Sequence, residues 1–273
     1  MKILVTGANG MLGQDLCPIL EDEEFDVIET DINNMDFTKP DEVSSKIKET
    51  MPDIVIHLGA YTNVDKAEEE KEKAFKINYE GTLNIVNACK ENGITLIYIS
   101  TDYVFDGTKK EKYLPNDKTN PLNVYGESKL KGEEEVKKCE KYYITRTSWL
   151  YGHHGKNFVE TMISLSNKEE LKVVDDQVGC PTWTVELARG IVKLIKEEKP
   201  YGIYHLCGSG ETSWYGFAKE IFKLCNLKVN LKPCKTEEFP RPAKRPKYSV
   251  MENYNICRNW KEALKDYIDL RCE

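Results

Sequence analysis

Short apolar runs alternate with longer amphipathic stretches along the first half of the chain. Ile3–Thr6, Asp26–Thr30, Asp53–Leu58, Leu96–Ser100 and Tyr143–Thr147 are brief runs rich in apolar and β-branched residues, and they read as strands. Met11–Leu20, Lys39–Thr50, Glu68–Asn92 and Tyr125–Cys139 lie between them and carry helical patterning. Strands separated in this way by helices predict an α/β fold: a Rossmann-type, doubly wound parallel sheet covered on both faces. The third helical stretch is densely charged around Lys66–Lys73, the signature of a solvated face. After about Trp149 the rhythm loosens. Lys172–Val174 and Ile203–Leu206 remain as isolated strands, and Pro233–Tyr248 is proline-rich and basic. The expected organisation is a larger domain over residues 1–148, completed by about 184–210, and a smaller C-terminal α/β domain from 149–183 and 211–273. No internal repeat is evident.

The first strand runs directly into Gly7-Ala8-Asn9-Gly10-Met11-Leu12-Gly13, and the second ends on Asp31. Strand, glycine turn, helix, strand and carboxylate together suit a dinucleotide. Gly7 permits the tight turn, Gly10 lets backbone approach a pyrophosphate, and Gly13 lets the helix sit close on the sheet. The free N–H groups at the helix start then face the phosphates. Asp31 is placed to accept hydrogen bonds from the adenosine ribose. With Ile32-Asn33-Asn34 following, it offers no cation for a 2′-phosphate, so NADH is favoured over NADPH.

Composition narrows the partners. A net charge of −7 and a pI near 5.4 argue against nucleic acid, whose binders need a basic face. No apolar run is long enough to span a membrane and no signal peptide precedes the first strand, so a cytoplasmic protein is expected. The nine cysteines, Cys272 the last of them, are scattered and never form a CxxC pair, which suits reduced thiols. No histidine has a Cys or His partner at zinc-ligand spacing, so no metal site is expected from these residues.

In a doubly wound sheet, chemistry comes from residues just beyond the strands. Ser100-Thr101-Asp102 follows the fourth strand, and the next helix opens around Tyr125-Gly126-Glu127-Ser128-Lys129. Tyr125 and Lys129 share a helix face, where the ammonium is expected to lower the tyrosine pKa and make the phenol a proton donor. Ser100 or Thr101 supplies a hydroxyl for a carbonyl oxygen; adjacent strand residues point oppositely, so only one of them faces the cofactor. Tyr215 and Lys219 repeat the spacing, but at the start of a late amphipathic helix, where packing explains them.

The glycine turn, the Ser-Thr pair and Tyr125-x-x-x-Lys129 resemble the extended short-chain dehydrogenase/reductase family. More narrowly, Val64-Asp65-Lys66-Ala67-Glu68, Ser100–Gly107, Pro121–Gly126, Arg146–Trp149 and Arg245-Pro246 resemble its dTDP-4-dehydrorhamnose reductase branch. The resemblance implies NAD(P)H-dependent reduction of a dTDP-linked 4-keto sugar, with Thr101, Tyr125 and Lys129 as the catalytic set. It places Gly10, Met11, Leu12, Asp31, Asp36, Phe37, Ala60, Tyr61 and Thr62 at the cofactor, and Val64, Asp102, Tyr103 and Trp149 at the substrate. Arg245 matches the substrate's pyrophosphate by its forked geometry. The family also implies a homodimer and, in some members, interfacial Mg2+, for which Glu186 lies in the matching segment. Three rivals share the fold: a sugar-nucleotide dehydratase, a 4-epimerase and a regulatory subunit resembling that of methionine adenosyltransferase. Tyr103 stands where the dehydratases carry a second acid, and an intact Thr101, Tyr125 and Lys129 set favours an enzyme over the regulatory subunit.

Overall fold

A computed structural model describes residues 1–271; Cys272 lies outside the described residues. The chain begins with β1 (Lys2–Thr6), α1 (Met11–Asp22), β2 (Asp26–Thr30), α2 (Pro40–Thr50) and β3 (Ile54–His57). Next come α3 (Val64–Glu69), α4 (Lys71–Phe75), a π-helical segment (Lys76–Gly81), α5 (Thr82–Asn92), β4 (Thr95–Thr101), α6 (Val124–Val136) and β5 (Tyr142–Thr147). The later part holds β6 (Leu150–Tyr151), α7 (Phe158–Ser164), β7 (Leu171–Val174), β8 (Val178–Gly179), β9 (Thr182–Trp183) and α8 (Thr184–Lys196). It closes with β10 (Gly202–His205), β11 (Thr212–Ser213), α9 (Trp214–Leu224), β12 (Leu231–Cys234) and α10 (Trp260–Arg271).

Six strands form one parallel sheet in the order β10-β5-β4-β3-β1-β2. The chain winds outward from β1 to β2, then crosses back to β3 and continues the other way. The ends of β1 and β3 therefore form the switch point where such sheets bind ligands. Strand alternation divides the core. Ile3, Val5 and Ile56 face α1 and α8, meeting Leu12, Leu16, Leu187 and Ile191; Leu4, Val55 and Leu96 face Val43, Ile47, Ile85 and Val136 from α2, α5 and α6. The other lobe buries Tyr151, Trp183, Phe217, Trp260 and Tyr267 among α7, α9 and α10. Three short strand pairs brace it: β6 with β9, β7 with β12 and β8 with β11.

The helix expected over Glu68–Asn92 is not continuous. It breaks at Glu70, whose backbone leaves the helical range, and relaxes into the π-helical turn before α5 begins. The cause is tertiary. Asn78 is fully buried in that turn, and its amide ties down the loop after β3: it accepts from Tyr61 N–H at 2.7 Å and donates to Tyr61 O at 3.0 Å and Ser128 Oγ at 2.9 Å. A π-turn inside a helix shifts the residues it carries around the helix axis, a common device at functional sites. Cys17, Cys89, Cys139, Cys180, Cys207, Cys234 and Cys257 are buried, and no disulfide occurs among the described residues. Among those residues no helix is long and apolar enough to cross a membrane.

Candidate active site

A cleft of about 910 Å³ opens at the switch point, between the sheet's carboxyl edge and the second lobe. Gly7, Gly10, Met11, Leu12, Gly13, Asp31, Asp36, Phe37, Ala60 and Thr62 line it, with Val64, Thr101, Asp102, Tyr103, Tyr125, Lys129 and Trp149. The glycine turn is sterically exacting. Gly7 has φ +67° and a Cβ there would lie 2.9 Å from Gly59 N; a Cβ on Gly13 would lie 2.2 Å from Ala8 O. No side chain caps α1 at Gly10. The N–H groups of its first turn are thus left for an anion, and with Asp31 at the end of β2 the cradle fits a dinucleotide.

Phe37 and Asp36 have structural duties as well. Phe37 presses on two glycines, since a Cβ on Gly59 would lie 2.4 Å from its Cε1 and one on Gly81 2.6 Å from its Cδ2. Asp36 accepts from Thr38 N–H at 3.0 Å and Thr38 Oγ1 at 2.8 Å, closing the turn before α2.

The reacting end is built on β4 and α6. Asn123 caps α6, accepting from Gly126 N–H at 2.8 Å, and its amide donates to Lys244 O at 2.7 Å. Gly126 is required there, because a Cβ would lie 2.2 Å from Tyr103 O. Strand alternation separates the two hydroxyls at the end of β4. Ser100 Oγ donates to Glu133 Oε1 at 2.6 Å, whereas Thr101 Oγ1 donates to Asp102 Oδ1 at 3.2 Å and lies close enough to Tyr125 to pull its pKa down. Thr101, rather than Ser100, is therefore the hydroxyl set beside the tyrosine.

The electrostatics differ from the expectation that Lys129 lowers the Tyr125 pKa. Burial pushes the Tyr125 phenol up to about 12, with Thr101 pulling it down and Asp102 adding to the rise. Burial also drives Lys129 down to about 7, opposed by Glu133. Its Nζ rests 4.1 Å from the centroid of the Tyr98 ring. Desolvation is the largest influence on both groups, and the ammonium is not among the influences that set the phenol. Asp102 is raised to about 7, chiefly by burial and against the bond it accepts from Ser249 Oγ at 2.6 Å.

Three expected site residues lie elsewhere. The Tyr61 ring packs with Ala67 and Ala74 off the cleft wall, its hydroxyl donating to Glu70 Oε2 at 3.0 Å; only its neighbours Ala60 and Thr62 line the cleft. Arg245 is also off the wall, forked onto Asp65 at 2.8 and 2.9 Å. Its guanidinium is thereby paired with a carboxylate. Glu186 is buried and held by Arg258 Nε at 3.0 Å and Nη2 at 2.8 Å. No group of three metal-ligating side chains occurs among the described residues. The sequence reading missed Asn78, Ser249 and Trp214. A helical Asn, a loop Ser and an amphipathic Trp are ordinary in sequence; only their tertiary partners give them a role.

Fold and cleft together define a dinucleotide-dependent oxidoreductase of the extended short-chain dehydrogenase/reductase class. Within it, the chain belongs to the RmlD substrate-binding domain family, whose profile matches residues 1–271. The chain is 40% identical to the spore coat polysaccharide biosynthesis protein SpsK of Bacillus subtilis, covering 99% of this chain and 98% of that protein. It superposes with TM-score 0.97 on a dTDP-4-dehydrorhamnose reductase of Clostridium acetobutylicum, at 50% identity and 100% coverage of both chains. A second solved dTDP-4-dehydrorhamnose reductase, that of Bacillus anthracis in complex with NADP, gives TM-score 0.95 at 43% identity, covering 98% of this chain and 99% of that one.

Proposed function

We propose that this protein reduces the C4 ketone of dTDP-4-dehydro-L-rhamnose to give dTDP-L-rhamnose, with NADH or NADPH as reductant. The observation that carries the reading is the convergence of Thr101, Asp102, Tyr125 and Lys129 on one cleft with the glycine turn and Asp31. The bound nicotinamide supplies the hydride. Tyr125 keeps its proton up to about pH 12, so at neutral pH the phenol is protonated and able to donate to the ketone oxygen. Thr101 orients that hydroxyl. Lys129, poised near neutrality, stabilises the tyrosinate left behind when it carries its proton.

NADH is the favoured reductant in this reading. Asp31 places a carboxylate at the adenosine end, and Lys39, the first cation after it, is engaged by Asp36 at 3.7 Å and Glu42 at 2.8 Å. Lys76 lines the same cleft and gives NADPH a cation to meet. A homodimer belongs to the same proposal, and sedimentation velocity reads it directly. The test of function follows absorbance of the reduced nicotinamide with NADH and then NADPH, using dTDP-4-dehydro-L-rhamnose made in situ and a control without sugar. Sugar-dependent oxidation, faster with NADH, is expected. A folded, cofactor-binding protein that oxidises neither would sink the reductase reading, and a tenfold preference for NADPH would overturn the part assigned to Asp31.

A further inference from the structure

The helix carrying the unused Tyr215–Lys219 spacing contributes a different residue to the cleft. Trp214, the first residue of α9, lies face to face with Trp149: the ring centroids are 3.5 Å apart and the planes 6° from parallel. Both indoles line the cleft. Trp149 has φ +47°, a left-handed backbone that a bulky side chain adopts only when its surroundings fix it there. Space is reserved for the ring at Gly179, where a Cβ would lie 2.6 Å from Trp149 Cε2. Trp214 is itself anchored. Its Nε1 donates to Gln177 Oε1 at 3.2 Å, and the Phe158 ring leans on it at 4.6 Å.

We propose that Trp214 is a positioning residue for substrate: by stacking on Trp149 it holds that indole in its strained conformation, as the apolar wall for the glycosyl part of a sugar nucleotide. Trp149 follows Thr147 and Ser148 at the end of β5, beside the strand that presents Thr101. The wall is thus built next to the reacting sugar. A 6-deoxy sugar offers C–H surface to an aromatic ring, and a ring held rigidly loses no freedom on binding it. The inference rests on the sugar-nucleotide reading above.

The experiment compares wild type with Trp214→Leu, which fills space without stacking, and Trp214→Phe, which keeps a flat ring. Steady-state KM values are measured for the keto sugar nucleotide and for the reduced cofactor, alongside circular dichroism in the region where stacked indoles give a paired exciton signal. Trp214→Leu is expected to lose that signal and to raise the sugar-nucleotide KM about tenfold with the cofactor KM unchanged, while Trp214→Phe stays within about twofold of wild type. Wild-type turnover together with an unchanged sugar-nucleotide KM in Trp214→Leu overturns the role of Trp214 alone. A rise of equal size in both KM values also overturns it, since that marks general loosening of the cleft. Wild-type protein that reduces no sugar nucleotide overturns the reductase reading instead.

Discussion

At the scale of single residues, the site is governed by desolvation. Tyr125, Lys129 and Asp102 share a pocket in which burial is the largest influence on each, and it moves each toward its neutral form: the phenol up to about 12, the amine down to about 7, the carboxyl up to about 7. A proton donor in such a place must be a group that holds its proton at neutral pH and faces the cleft, and Tyr125 meets both conditions. Tyr125→Phe removes the hydroxyl but keeps the ring that meets Tyr103 edge to face at 5.9 Å. It should therefore fold normally and lose about 10²–10⁴ in kcat, the usual worth of positioned proton transfer. Single-turnover reduction at saturating cofactor reads this directly; near-wild-type turnover would remove Tyr125 from the role. Tyr125, Thr101 and Lys129 were all visible in the sequence because their spacing is local to one strand end and one helix turn. The pairing of Arg245 with Asp65 was not legible for the opposite reason: the two lie 180 residues apart.

At the scale of elements, the central strands were legible because parallel strands covered on both faces must be apolar almost throughout, as the fully buried β3 shows. Helix α6 was legible from its local pattern, and its start is fixed by the Asn123 cap. The break at Glu70 and the π-turn were not, since Asn78 earns its place only through partners on the β3 loop and α6. The same holds for the attachment of α6 to the sheet. Glu133, on α6, takes Arg146 of β5 in a buried fork at 2.8 and 2.7 Å and also accepts from Ser100 of β4. Removing one partner strands a charge in the interior, so Glu133→Gln should cost about 3–5 kcal/mol in urea unfolding. Replacing both, as Glu133→Leu with Arg146→Met, should recover most of that loss, because two apolar side chains leave no charge unpaired. A single variant as stable as wild type would show that the fork does not fasten α6 to the sheet.

At the scale of the whole molecule, the same burial that tunes the cleft sets how the fold responds to acid. His57 and His205 are held down to about 3 from an ordinary 6.5, in both cases mainly by burial, with Lys129 and Arg146 respectively adding to the effect. Between about pH 6.5 and 3 the unfolded chain takes up a proton at each that the folded chain refuses, so each removes stability as pH falls, by up to about 1.4 kcal/mol per pH unit. Asp102 works in reverse. Its folded value of about 7 lies above the ordinary 3.8, so the folded chain holds a proton that the unfolded chain has released, and this contribution grows as pH drops through that window. Two groups outweigh one, and carboxylates held below their ordinary range, such as Asp106 and Glu252, act in the same direction toward the acid end, so stability should fall between pH 6 and 4. His205→Leu removes one of the two, so its unfolding free energy should fall less steeply across the same range. Urea titrations of both proteins at several pH values decide the matter. A variant whose stability falls as steeply as that of the wild type would mean that His205 is not the group that refuses the proton, and that acid sensitivity arises in the exposed carboxylates instead.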